Sequence, residues 1–187
     1  MGIDPGLAIL GYGVIEWKGK KCTLLAEGTI TTSSKDNFDK RLKYICESLI
    51  NIFTLYKPES ISVEEPIYCK NVQTALTLGK VSGGIIISAA EKNIPVFEIS
   101  PLEIKQAIVG HGRASKDQVQ NMVMRLLGIS EFKGSEHSSD AIAAAICYAH
   151  TETYRKHLLS QGSIRKKRGS KWLRTLKEPS SKKQLIK

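Results

Sequence analysis

Met1-Gly2-Ile3-Asp4-Pro5-Gly6 has the pattern of a short strand that ends in an acid and a tight turn, and it indicates the fold of the chain. An apolar pair precedes the carboxylate of Asp4, and Pro5-Gly6 then forces a tight turn. Tyr12–Trp17 has the pattern of a second strand that returns from this turn. Asp4 is therefore predicted at the end of a strand inside a sheet, where an ionised group is costly unless a cation compensates it. The alternative is an aspartate that only stabilises its own turn.

Working outward, the pattern predicts three antiparallel strands followed by alternating helices and strands. After Tyr12–Trp17, the predicted elements are a strand over 21–32, a helix from Asp36 or Asn37 to Tyr56, a strand over 60–65 parallel to the first, a helix over 71–92, a strand over 95–99, helices over 100–108 and 115–127, a polar loop over 130–136 and a helix over 141–153. Ser115 and Gly128 are the predicted caps of the 115–127 helix. This order is typical of an α/β fold with an antiparallel sheet edge.

The positive charge of the chain is concentrated near its end. Residues 155–187 hold twelve Lys/Arg and one acid, a charge of +11, whereas residues 1–154 hold sixteen basic and seventeen acidic residues. We therefore predict a nearly neutral folded domain over 1–154 and a basic, disordered tail over 155–187. Such a tail indicates an anionic partner, with nucleic acid favoured over membrane.

Composition also bears on the location of the protein. No segment approaches the roughly 20 apolar residues of a membrane span, and the first residues lack the basic and apolar parts of a secretory signal. The four cysteines are widely spaced and form no C-x-x-C pair, which favours free thiols in a reducing compartment. We expect a cytoplasmic protein that has no membrane partner.

Acidic residues at the ends of predicted elements indicate a metal-dependent reaction. Glu64, like Asp4, ends a predicted strand before a proline turn, while His137 and Asp140 are spaced i and i+3 at a helix start. A mixed sheet would place these ends side by side, and neighbouring carboxylates need cations. Oxygen ligands favour Mg²⁺ or Mn²⁺, and two such ions can activate a water for phosphodiester hydrolysis.

Each of these residues also has a structural interpretation. Asp140 could be a helix N-cap, Glu64 a solvated strand end and His137 a loop residue. A different class of function is an actin- or sugar-kinase-like ATPase, whose first phosphate loop also reads Ile-Asp-x-Gly. That class needs a second phosphate loop, an adenosine motif and a much longer chain. A third possibility keeps the fold without catalysis, as a nucleic-acid-binding protein, or acts on a different nucleic-acid substrate such as RNA.

Several motifs together carry a family resemblance. They are Gly2-Ile3-Asp4-Pro5-Gly6, Val63-Glu64, Lys105-Gln106 followed by Val109-Gly110-x-Gly112, Lys116-x-Gln118-Val119, and His137-x-x-Asp140-Ala141. In order and spacing they resemble the RuvC family of bacterial Holliday-junction resolvases, from Gly2 to about His150. The resemblance implies a ribonuclease-H-like mixed five-stranded sheet flanked by helices, a homodimer, and Mg²⁺-dependent hydrolysis of two symmetric strands of a four-way DNA junction. It also implies a branch-migration motor complex as a partner.

The resemblance assigns catalytic roles position by position. The implied metal-binding catalytic cluster is Asp4, Glu64, His137 and Asp140, with two Mg²⁺ ions that Mn²⁺ could replace. Some family members have Asp where this chain has His137. Glu65 is the rival of Glu64, and the family register selects Glu64. Only three residues precede Asp4, so we expect either a start upstream of Met1 or a shortened central strand.

The same resemblance implies DNA-binding and dimer residues. Lys105, Lys116 and Arg113 are the expected cationic contacts with DNA. An aromatic residue of the family stacks on junction bases from the loop that here contains Ile67 and Tyr68, and which of the two fills that role stays open. The 71–92 helix matches the family's dimer helix, with Gly79, Ser82 and Gly83 at the expected interface.

Overall fold

A five-stranded mixed sheet forms the centre of the computed structural model, which describes residues 1–19, 21–65, 71–132 and 134–160. The strands are β1 (Gly2–Asp4), β2 (Ile9–Lys18), β3 (Lys21–Thr31), β4 (Ile61–Glu64) and β5 (Val96–Ile99). Their order across the sheet is β3-β2-β1-β4-β5. The predictions for Ile67, Tyr68 and the tail beyond Ser160 lie outside the described residues.

The strand directions agree with the sequence prediction. β1 pairs with β2, and β2 with β3, in antiparallel fashion. β4 runs parallel to β1 and β5 runs parallel to β4, because a helix lies in the chain between each pair. Asp4 and Glu64 follow the paired residues Ile3 and Val63 on adjacent parallel strands. Their two carboxylates therefore belong to the same edge of the sheet.

Five helices flank this sheet, namely α1 (Phe38–Tyr56), α2 (Val72–Glu91), α3 (Pro101–Val109), α4 (Lys116–Leu127) and α5 (Glu136–Ser160). Ser115 caps α4 as predicted, accepting a hydrogen bond from the backbone N–H of Gln118, and Gly128 ends the helix with a φ of 68°. Ser100 forms an equivalent capping box with Glu103 at the start of α3. These local signals fix where the helices begin beside the sheet edge.

The sheet separates two hydrophobic cores. On one face, Ile3 and Val63 pack with α1 and α2 through residues such as Phe53 and Ile85. On the other face, α3, α4 and α5 form a second core that includes Ile104 and other fully or nearly buried apolar side chains. Because side chains alternate along a strand, Asp4 and Glu64 lie on the α5 side, opposite Ile3 and Val63.

Helix α5 differs from its prediction at both ends. It begins at Glu136 rather than Ala141, because Ser135 caps it: the Ser135 hydroxyl accepts from Ser138 N at 3.3 Å, and its carbonyl accepts from Ser139 N at 3.1 Å. Asp140 is therefore not the N-cap. The helix reaches Ser160 instead of Thr153, since no glycine or proline interrupts it before Gly162.

The chain divides into two compact units, Met1–Glu152 and Thr153–Lys187, of which the second is described only to residue 160. Residues 153–160 are helical, so the predicted disorder does not hold for 155–160. Within the described ranges, no helix is both long and apolar enough to cross a membrane.

Candidate active site

Asp4 and His137 form the central contact of the site. Nδ1 of His137 lies 2.7 Å from Oδ2 of Asp4. Because an ionised carboxylate only accepts hydrogen bonds, Nδ1 of His137 is the donor to Asp4 in this pair. Burial raises the pKa of Asp4, the hydrogen bond from His137 opposes that rise, and the charge of Asp140 adds to it.

Glu64 is the most perturbed carboxylate of the site. Burial first, and then the charges of Asp4 and Asp140, raise its pKa from 4.5 to about 7, against the smaller opposing effect of Lys116 and Lys105. The charges of Asp4 and Asp140 are thus close enough to Glu64 to disfavour its ionisation. The structure brings together Asp4, Glu64, His137 and Asp140 as predicted, although it does not test their catalytic roles.

Lys116 lies between two acids at the start of α5. Its Nζ is 2.9 Å from Oδ2 of Asp140 and 2.6 Å from Oε1 of Glu136. Burial acts to lower the pKa of Lys116, but the hydrogen bonds to Glu136 and Asp140 outweigh it and raise the pKa. Sequence reasoning missed Glu136, because it was assigned to the loop before the helix. As a first-turn residue, Glu136 lies beside the cluster.

The carboxylates of Asp4, Glu64 and Asp140 offer the oxygen ligands that a divalent cation prefers. The charge of Asp140 raises the pKa of both Asp4 and Glu64, so positive charge at the cluster would favour the ionised form of these two partly buried carboxyl groups. The residues therefore fit Mg²⁺ or Mn²⁺ in their chemistry. Among the described residues, however, no three acidic, histidine or cysteine side chains stand in a ready-made metal site. Instead, Lys116 and His137 contact the carboxylate oxygens of Asp140 and Asp4.

Glycines of β1 and β2 set the distance between α5 and the sheet. A Cβ atom on Gly2 would collide with the carbonyl oxygen of Ala141, and one on Gly11 would collide with that of His137. A Cβ atom on Gly13 would collide with the side chain of Ile142. The helix backbone therefore lies directly on the strand backbone, which brings His137 and Asp4 together. Several glycines within adjacent strands are a recognisable signal of close backbone approach, and it was overlooked in the sequence.

Glu27 fixes the segment that enters α5. Its carboxylate accepts hydrogen bonds from the backbone N–H of Gly134, at 3.1 Å, and from the Ser138 hydroxyl, at 3.3 Å. These contacts join β3 to both sides of the Ser135 cap. Glu27 is thus a positioning residue for the first turn of α5, and no local sequence pattern would have identified it.

A cleft of about 240 Å³ adjoins the acidic cluster. Its charged rim includes Glu64, Asp140, Lys105 and Lys116, and apolar residues of α3, α4 and α5 complete its lining. Two of the three predicted cationic contacts therefore lie beside the acids. Arg113 is exposed in the connection before α4 and is not among the residues that line the cleft.

The predicted dimer helix presents only part of its expected interface to solvent. Cβ atoms on Gly79 and Gly83 would meet no other atom within 4 Å, so both positions face outward. Ser82 is only 5% exposed and is turned towards the protomer interior, and its role at the interface stays a prediction. Leu76 and Ile86 are exposed at helical spacing from the two glycines. These four residues define the apolar face of α2.

Comparison with known proteins identifies the family. The family model for crossover junction endodeoxyribonuclease RuvC matches residues 1–148. The chain belongs to the RuvC family. Among RuvC relatives, the crossover junction endodeoxyribonuclease of Alkaliphilus oremlandii is 45% identical over 154 residues, which are 82% of this chain and 94% of the relative. That of Caldanaerobacter subterraneus subsp. tengcongensis is 42% identical over 158 residues, which are 84% of this chain and 96% of the relative.

Solved RuvC structures match the fold. T. thermophilus RuvC in complex with a Holliday junction substrate has a TM-score of 0.79 and 33% identity, covering 82% of this chain and 94% of that one. The yeast mitochondrial Holliday junction resolvase Ydc2 matches at a TM-score of 0.62 with 14% identity, covering 87% and 85%, which is a likeness of fold alone. The predicted ribonuclease-H-like fold and family are therefore confirmed.

Proposed function

We propose that this chain is a structure-selective, metal-dependent endodeoxyribonuclease that resolves four-way DNA junctions by two symmetric phosphodiester hydrolyses. The observation that carries the proposal is the convergence of Asp4, Glu64 and Asp140 at one sheet edge of a RuvC-family chain. The raised pKa of Asp4 and of Glu64, to which the charge of Asp140 contributes, supports a site built to bind cations. Such an enzyme acts in DNA recombination and repair.

The side chains of the site have two roles in hydrolysis: some bind metal ions and others contact the phosphate. Asp4, Glu64 and Asp140, with Nε2 of His137 as the fourth ligand, would hold two Mg²⁺ ions, which Mn²⁺ could replace. Metal ions in such sites activate a water molecule and stabilise the leaving oxygen. Lys105 and Lys116 neutralise phosphate beside the cluster and orient the scissile group. The apolar part of the adjoining cleft limits the access of bulk water.

Two cuts in symmetric strands need two active sites related by a twofold axis. The apolar face of α2, with Gly79 and Gly83 at its centre, is the surface we assign to a second copy of the chain. Outward-facing glycines let two helices approach closely.

We further propose a branch-migration motor complex as a partner and a cytoplasmic location. Arg113, Ile67 and Tyr68 are proposed to contact bases or phosphates of the junction.

The experiment that tests the function compares substrates. Purified protein with Mg²⁺ is incubated with a synthetic four-way junction, a linear duplex of the same sequence and an RNA/DNA hybrid. We expect paired nicks at symmetric positions of the junction and little cutting of the other two substrates. Preferential cutting of the hybrid would instead favour an RNA-processing relative, and junction binding without any nick would favour a non-catalytic role.

Substitution of single ligands tests the chemistry. Asp4→Asn should reduce cleavage at least a hundredfold while junction binding changes little, because phosphate affinity comes mainly from Lys and Arg. His137→Asp should keep activity if the position only supplies a ligand, since a carboxylate oxygen replaces the imidazole nitrogen. Gel-shift titration in EDTA beside cleavage in Mg²⁺ separates the two effects, and an Asn variant that cuts at wild-type rate would contradict the assignment.

A further inference from the structure

The end of β3 lies at the same sheet edge as the acidic cluster. β1 and β3 are both antiparallel to β2, so they run in the same direction. Thr32, which follows β3, therefore lies at the edge where Asp4 ends β1. Helix α1 begins at Phe38, a few residues later, and Arg41 is in its first turn. Thr32 and Arg41 were given no functional role in the sequence analysis.

Thr32 connects Arg41 to the turn that follows Asp4. The Thr32 hydroxyl donates to the carbonyl oxygen of Leu7 at 2.6 Å and accepts from Nε of Arg41 at 2.8 Å. The backbone N–H of Thr32 also donates to the carbonyl oxygen of Ala8 at 3.0 Å. A hydroxyl has a single hydrogen, so its bond to Leu7 leaves its lone pairs for Arg41 and fixes the direction of this short chain of hydrogen bonds.

The charge of Arg41 has no carboxylate partner in the part of the chain that the structure describes. The ion pairs there involve other cations, namely Lys18, Lys43, Lys116 and His137. Arg41 is nevertheless half-buried, and only its Nε is engaged within those described ranges. A guanidinium has five N–H donors in a planar fork that matches the oxygens of a phosphate. A partly desolvated arginine without an acid is suited to an anion supplied from outside.

The position of Arg41 complements that of Lys105 and Lys116, the two proposed cationic contacts beside the acids. Lys105 and Lys116 belong to α3 and α4, on the α5 face of the sheet, whereas Arg41 belongs to α1, which packs on the opposite face. The acidic cluster lies at the edge between these faces. We propose that Arg41 binds a backbone phosphate of the DNA on the opposite side of the cluster from Lys105 and Lys116. A strand that crosses the edge is then held on both sides of the cut.

This inference rests on the proposed junction function, and its test removes single charges. Arg41→Gln is compared with Lys43→Gln, which removes the same charge from an exposed position on the same helix, where Lys43 pairs with Glu47 at 3.7 Å. Binding to a four-way junction is measured in EDTA over a range of salt concentrations. Arg41→Gln should weaken binding about tenfold and lower the salt slope by about 0.9, the value for one phosphate contact.

The control should change affinity less than twofold and leave the slope unaltered, and Arg41→Lys should recover part of the affinity. Equal slopes for Arg41→Gln and Lys43→Gln would overturn the proposal. A lower melting temperature with slow cleavage at saturating junction and an unchanged slope would also overturn it, because Arg41 would then only anchor the turn after Asp4. If the wild-type protein does not bind junctions, the proposed function itself fails.

Discussion

The raised pKa of Glu64 makes the metal-free protein sensitive to pH in a predictable direction. The folded protein holds a proton on Glu64 up to about pH 7, whereas an unfolded chain releases it near 4.5. The stabilisation is fully present below pH 4.5 and is lost as the pH rises through 7. At about 1.4 kcal/mol per pH unit, the difference between a pKa of 4.5 and one of about 7 corresponds to a loss of about 3 kcal/mol in the free energy of unfolding.

Glu64→Gln should remove that dependence, because the amide stays neutral at every pH. At pH 5 the variant and the wild type should have similar free energies of unfolding. At pH 8.5 the variant should be more stable by up to about 3 kcal/mol, or by about 6–12 °C in melting temperature. Its metal-dependent cleavage should be lost throughout, since an amide is a weak ligand for Mg²⁺.

The assay is thermal and urea denaturation in EDTA across pH 5 to 9. Glu98→Gln is the matched control, because Glu98 is exposed on the neighbouring strand and pairs in register with Val63. Addition of Mg²⁺ should restore the stability of the wild type above pH 7 and leave Glu64→Gln unaffected. A difference between variant and wild type that stays constant from pH 5 to 8.5 would refute the reasoning.

Three further predictions concern packing, assembly and the tail. Gly11→Ala should cost about 1–3 kcal/mol and slow cleavage more than tenfold by lifting α5. Its free energy of unfolding is compared with that of Gly79→Ala, whose added methyl group meets no atom of the protomer. Gly83→Leu should give monomers in sedimentation, and a dimer that still cuts both strands would argue against the α2 face. Truncation after Ser160 removes ten Lys/Arg and one acid, and should lower the salt slope of binding to junction and duplex alike; unchanged slopes would exclude the tail from DNA binding.

The strands and most helix starts could be predicted because their signals are local. Alternating apolar residues marked β2 and β3, and serine residues followed by Glu103 or Gln118 gave capping boxes at the starts of α3 and α4. Asp4 and Glu64 were predicted to converge because each ends a strand of a predictable direction. Sequence order and strand direction therefore determine much of the acidic cluster.

The rest of the site depends on contacts between residues distant in sequence. The cap of α5 by Ser135 was missed because four serines, Ser130, Ser135, Ser138 and Ser139, lie around His137 and each is a plausible cap. Glu27 reaches Gly134 across 107 positions, a contact that no periodicity encodes. The inward direction of Ser82 follows from how α2 rotates against the sheet, and small residues alone do not determine that rotation.

The placement of α5 on strand glycines affects how the active site is lost on heating. Side-chain contacts loosen gradually, since each group can exchange among rotamers, but a contact between main chains has no rotamers. The first turns of α5 therefore either lie on β1 and β2 or have left them. Amide protons around Ala141 should exchange with solvent only through that cooperative opening. Below the temperature at which α5 leaves the strands, Asp4 and Asp140 keep their alignment, and above it they lose it together.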